Sequence, residues 1–185
     1  MKRKANKYIL FSVIIAVGVG LDQLSKIWAV NNLSRVITTA SGELERVVDP
    51  SKISSYWNGF FELTFAKNEG AFLSLGTNLE PTLRLILLTI IPGLVLVGLM
   101  IYLLRSDKLS LPENIAFGLI AAGGIGNIVD RIIQGYVVDF MVLEAFGWHT
   151  GVFNIADNYI VIGILLFIVA YFIKARKDKK AQAAA

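Results

Sequence analysis

Asp130, Asp139 and Asp157, accompanied by Asn127 and Asn154, stand in a stretch from Ala121 to Asp157 that otherwise reads as hydrocarbon. An ionisable group at membrane depth costs at least ~2.5–3.5 kcal/mol on insertion scales, so its retention points to a function. Two carboxylates brought close together do not both ionise easily; they share one proton and one pKa rises. Such a pair suits amide hydrolysis. The ionised member takes a proton from water as it attacks the carbonyl, and the protonated member polarises that carbonyl and then serves the departing amine. Asp139 and Asp157 are the candidate pair.

Each acid also has a structural reading. Asn154 can act as the N-cap of a helix with Asp157 at its third position, an arrangement worth ~0.5–2 kcal/mol. Asp139 can end a short strand, and Asp130 can pair with an arginine from another segment. Capping accounts for one acid at one helix end. It gives no reason for a second carboxylate, delivered to the same depth by the extended run Tyr136-Val137-Val138.

The elements that must position these groups follow from composition. More than half of the 185 residues are hydrophobic, 55% in all, more than a soluble fold of that length can hide. The class is an all-α integral membrane protein. Cysteine is absent, which excludes disulfides, thiolate metal sites and cysteine nucleophiles. His149 is the single histidine and is expected at the membrane interface beside Trp148. No cofactor and no metal is called for. The formal charge of +4 is concentrated at the chain ends and one short loop, unlike the basic face of a nucleic-acid binder.

Four transmembrane helices are expected at about 8–30, 83–104, 113–133 and 154–173, in a single membrane domain spanning 1–185. Lys2, Arg3, Lys4 and Lys7 precede the first, whose apolar run exceeds that of a secretory signal, so it is read as uncleaved. Asp22 and Lys26, four residues apart, share one side of that helix and form either a local anchor or part of the site. A small extracytoplasmic platform containing β structure is expected at about 31–81, with a strand over 60–65 and a turn at 67–72 around Gly70. Pro92-Gly93 interrupts the second span, and a charged turn at Arg105-Ser106-Asp107-Lys108 follows it. Gly123, Gly124 and Gly126 allow close helix approach, and Asn127, Asp130 and Arg131 share adjacent parts of one face. The positive-inside rule places both termini in the cytoplasm and the acids at the outer helix ends. Lys174, Arg176, Lys177, Lys179 and Lys180 read as an inner-leaflet anchor.

At these residues the chain resembles the lipoprotein signal peptidases, the type II signal peptidases of bacteria. The likeness runs through Asp22-Gln23-Leu24-Ser25-Lys26, Asn68-Glu69-Gly70-Ala71, Gly123 to Arg131, Val137-Val138-Asp139-Phe140 and Phe153-Asn154-Ile155-Ala156-Asp157. The resemblance implies a four-helix aspartyl endopeptidase of the bacterial cytoplasmic (inner) membrane, with Asp139 and Asp157 as its dyad. It implies cleavage of prolipoproteins just before a cysteine carrying diacylglycerol. By the same likeness Asp22, Lys26, Asn68, Gly70, Asn127, Asp130, Arg131 and Asn154 support the site or the substrate, and cyclic peptides such as globomycin occupy it. The protein is expected to act as a monomer in membrane lipid, without nucleic acid. Two departures from the family pattern are Phe72, where alanine is usual, and a longer stretch between Lys26 and Asn68.

Three rivals remain on residues alone. A small acid-lined transporter or proton channel expects polar residues through the whole membrane thickness, whereas 94–104 and 160–173 are apolar. A serine–lysine peptidase would use Ser25 or Ser34 with Lys26, but neighbouring helix positions point to different sides. A purely structural bundle would have no need of the two acids.

Overall fold

The computed structural model describes residues 2–70, 76–106 and 109–183. Ala71, Phe72, Asp107 and Lys108, and the side chains of Lys2, Arg3, Lys4, Lys177 and Lys180, lie outside the described part. Helix α1 runs Lys2–Leu33, α2 Pro81–Leu85, α3 Ile91–Arg105, α4 Leu111–Gln134 and α5 Ile155–Ala183. Four stretches are long and apolar enough to cross a membrane: Lys7–Leu33, Pro81–Arg105, Leu111–Gln134 and Ile155–Arg176. Four membrane-spanning helices with a small β platform is the architecture the composition implied.

Helix α4 is the hub, packed against α1, α3 and α5. Its buried face is made of small residues, among them Ala116, Gly118, Ala121, Ala122, Gly123 and Gly126. Between helices in lipid there is no hydrophobic drive, so association rests on close packing of such residues. Its start is a reciprocal cap in which Glu113 accepts from both the amide and the hydroxyl of Ser110, each at 2.7 Å. Gly135, with φ of +82°, ends it in the left-handed conformation that glycine tolerates.

The second span breaks differently from expectation. The irregularity is a wide π turn over Ile86–Ile90, immediately before Pro92 rather than at Pro92-Gly93. The physical reason lies in proline itself: its ring excludes the carbonyl four residues back, that of Leu88, and it brings no amide proton to bond there. The turn carrying Leu88 widens, and α3 continues regularly beyond it.

The platform holds two sheets. Strands β1 (Ser34–Thr38) and β2 (Leu44–Val48) form a hairpin. Strands β3 (Ser54–Tyr56), β4 (Phe61–Asn68), β5 (Val137–Ala145) and β6 (Trp148–His149) form an antiparallel sheet in that spatial order. Two expectations are corrected here. Lys67 and Asn68 belong to β4 and not to a turn, because Lys67 pairs with Val138 and Asn68 with Val137. Asp139 does not end a short strand but is third in a nine-residue one, since β4 offers partners well past it. Ala29 and Leu33 of α1 pack with Phe65, Val138 and Phe140, fastening the sheet to the bundle.

Helices α4 and α5 touch backbone to side chain at Gly163, where an added Cβ would stand 2.7 Å from the Ala116 carbonyl oxygen and from Ile120. Overpacking such a contact costs ~1–3 kcal/mol. Gly163→Val therefore lowers the melting temperature in detergent. Gly98→Val, at a position with nothing within 4 Å, leaves it unchanged.

Candidate active site

The site is built outward from one ammonium group. Lys26 Nζ lies 2.8 Å from Asp22 and 3.0 Å from Asp130, and it donates to Asn127 Oδ1 at 3.0 Å. Lys26 is 3% exposed and Asp22 wholly buried, so neither charge has water to fall back on. A lysine has three protons to give, and three partners take them. The i, i+4 spacing read from the sequence is a real pair, but it is also part of a larger cluster and not a surface anchor.

Each partner of Lys26 then holds another element. Asp22 Oδ1 accepts from the Ala156 amide at 2.9 Å, satisfying an otherwise orphaned donor in the first turn of α5. Asp130 Oδ2 accepts from the Val138 amide at 3.0 Å, pinning β5 one residue before Asp139. Asp130 thus pairs with a lysine and a backbone amide, not with the arginine considered above. Asn127 Nδ2 donates to Asp157 Oδ1 at 2.8 Å. Gly126 leaves room for the Asp22 carboxylate, since a Cβ there would stand 2.5 Å from Asp22 Oδ2.

Asp157 and Asn154 form a reciprocal cap at the start of α5. The Asp157 amide donates to Asn154 Oδ1 at 3.0 Å, and the Asn154 amide donates to Asp157 Oδ2 at 3.2 Å. The capping pattern read from the sequence is therefore present, yet it leaves the side-chain Nδ2 of Asn154 for other contacts. Asn154 Nδ2 donates to Asp139 Oδ1 at 2.6 Å and to Asn127 Oδ1 at 3.1 Å. Across the β4–β5 ladder, Asn68 Nδ2 donates to the other oxygen of Asp139 at 2.8 Å. This contact follows from register: Asp139 lies opposite Ala66, and Asn68, two residues on, shares its face. Gly70 donates its amide to Asn68 Oδ1 at 3.0 Å and offers its carbonyl to Arg131 Nη2 at 2.7 Å.

Every site residue named from the sequence thus joins one connected network. Asn68, Asn127, Arg131, Asp139 and Asp157 line a cavity of about 910 Å³ that continues past Leu88, Pro92, Val95, Leu99, Ile120 and Val161. The Asp139 carboxyl is pushed up to about 7, first by burial and next by the negative charge of Asp157, with the amides of Asn68 and Asn154 and the Lys26 charge pulling the other way. One carboxyl that keeps its proton near neutrality beside a second carboxylate is the arrangement that acid–base hydrolysis requires.

Comparison with known proteins settles the family. Residues 14–173 match the family described as Signal peptidase (SPase) II. The chain belongs to the signal peptidase II family. A lipoprotein signal peptidase of Gloeothece citriformis is 31% identical over 169 residues, 91% of each chain. One from Clostridioides difficile is 34% identical over 169 residues, 91% of this chain and 99% of that one. One from Borrelia turicatae is 38% identical over 122 residues, 62% of this chain and 69% of the other. A solved bacterial membrane enzyme superposes with a TM-score of 0.69 at 25% identity, covering 90% of this chain and 89% of that one. As a signal peptidase II, the chain is a membrane-embedded aspartic endopeptidase, and the channel and structural-bundle readings fall away. The serine–lysine reading fails on geometry too: Ser25 donates to the Asp22 carbonyl at 2.7 Å, Ser34 donates to Val30 at 2.5 Å, and all of Lys26 is engaged.

Sequence reasoning passed over one member of the network. Gln23 Nε2 donates to Asp130 Oδ1 at 3.0 Å and to the Gly126 carbonyl at 3.2 Å, binding α1 to α4. Its signal was an amide-bearing residue next to Asp22 inside an apolar helix. His149 is exposed on β6, its Nδ1 2.9 Å from the Thr150 carbonyl oxygen, and among the described residues no cluster of potential metal ligands occurs.

Removing the central cation leaves two buried carboxylates uncompensated, a change that costs ~3–5 kcal/mol. Lys26→Met is expected to lower the unfolding midpoint in a denaturing-detergent titration by that measure. Adding Asp130→Asn to it restores part of the loss.

Proposed function

We propose that Asp139 and Asp157 carry the hydrolysis, with Asp157 as the base and Asp139 as the acid. Asp157, whose oxygens accept from the Asn127 side chain and the Asn154 amide, takes a proton from water as the water oxygen bonds to the scissile carbonyl carbon. Asp139, carrying a proton, donates toward the carbonyl oxygen and then delivers that proton to the amine as the C–N bond breaks. Asn68, Asn127 and Asn154 hold the two carboxyls in register, Lys26, Asp22 and Asp130 fix the elements that bear them, and Arg131, held by the Gly70 carbonyl, lines the cavity beside them. The observation that carries this reading is the pair of carboxyls lining one largely apolar cavity between three membrane spans.

The substrate is a prolipoprotein whose cysteine already bears diacylglycerol, cut on the amino side of that cysteine. Supporting this are the curated relatives' common name and a cavity wall of Leu88, Val95, Leu99 and Val161, suited to acyl chains or an apolar signal helix. Both termini face the cytoplasm and the dyad lies near the outer face, in keeping with basic residues near both ends. The enzyme works as a monomer, and cyclic peptides such as globomycin block it by occupying the dyad.

In a purified assay on a diacylglyceryl-modified peptide, Asp139→Asn and Asp157→Asn each lower turnover roughly 10²–10⁴-fold while inserting normally into membranes. Full turnover by either variant would falsify the assignment. Because Asp139 works protonated and its pKa stands at about 7, the parent enzyme loses activity as pH rises through about 7. Globomycin suppresses the parent activity and binds neither variant as tightly.

A further inference from the structure

The two hairpins at the far end of the main sheet carry aromatic residues in backbone positions that disfavour them. Ala145 pairs with Trp148 across a two-residue loop, Phe146-Gly147, in which φ is +53° and +78°. Loops with both central residues at positive φ favour Asn, Asp or Gly first, and a bulky residue there is strained. Phe146 is nevertheless fully exposed, so no packing within the protein offsets that strain. The neighbouring turn repeats the pattern. Trp57 has φ of +50° and is followed by Asn58 and Gly59, also at positive φ; it is 75% exposed, and Trp148 is 83% exposed.

Register puts these residues together. Phe61, which follows the first turn, pairs with Leu143, three residues before Phe146, and with Tyr56, which precedes Trp57. Trp57, Phe60, Phe146 and Trp148 therefore sit on adjacent tips at one sheet end, opposite to the end that holds Asn68 and Asp139. Neither tip, Trp57 to Phe60 or Phe146 to Trp148, contains a charge. The cluster also adjoins the spans, because Leu143, His149 and Thr150 beside it line the cavity shared with Leu88, Pro92 and Val161.

We propose that these two aromatic tips are an interfacial lipid anchor that lays the sheet along the leaflet on the platform's side. Tryptophan and its aromatic neighbours favour the headgroup level, where an apolar ring meets a polar edge. An exposed apolar cluster of this kind needs a partner outside the chain, and the adjoining bilayer is the surface that reaches both tips at once. The anchor holds the Asp139 end of β5 at the lipid boundary from the opposite end of the same strand.

The test uses full-length protein in phospholipid vesicles, in single-tryptophan forms made by Trp→Phe changes at the other two of Trp28, Trp57 and Trp148. With Trp57 or Trp148 alone, emission shifts to the blue, is strongly quenched by phosphatidylcholine brominated high on its acyl chains, and resists aqueous acrylamide. Quenching by acrylamide with indifference to bromine overturns the proposal. Blue-shifted emission indifferent to bromine overturns it as well, because the tips are then covered by protein, such as a second copy.

Discussion

A single buried ammonium sets the geometry of this enzyme. Lys26 holds Asp22, Asp130 and Asn127, and these in turn grip α5, β5 and Asp157. The two carboxyls of the site come from elements separated in the chain and unlike in kind, a strand and a helix. Without a common reference they would drift independently. In a low-dielectric interior charge pairs interact strongly and are costly to break, so the reference point is stiff.

The amides add a second layer. Asn154 starts α5, bonds Asp139 and touches Asn127, so one side chain ties the cap of a helix to a carboxyl on a strand. Asn68 reaches the other oxygen of Asp139 from β4. Burial raises the Asp139 pKa and these donors moderate the rise. The balance leaves a proton that is held at neutral pH but can be given up.

Much of this was legible in the residues. Apolar runs of membrane length announced the four spans, and acids in or beside them drew attention to the candidate site, because hydrocarbon makes both patterns costly to produce by chance. The motifs around Asp22, Asn127, Asp139 and Asp157 carried the family. What stayed hidden was non-local. That β4 extends to Asn68 depends on β5, and that β5 extends to Ala145 depends on β4 and then β6, which the separate segments do not display. The π turn before Pro92 arises from a clash one turn back along the helix. Lys26 and Asp22 were visible as a pair, but the third party, Asp130, lies more than a hundred residues away.

The pairing of Asp22 with Lys26 also bears on biogenesis. Helix α1 carries both an acid and a base on a single stripe, one helical turn apart, and so meets the membrane with these charges mutually neutralised. Only later, when α4 is synthesised, does Asp130 arrive to share the same cation. Helix α1 can therefore partition into lipid ahead of α4, and the order of translation is compatible with a centre that is complete only once α5 has joined.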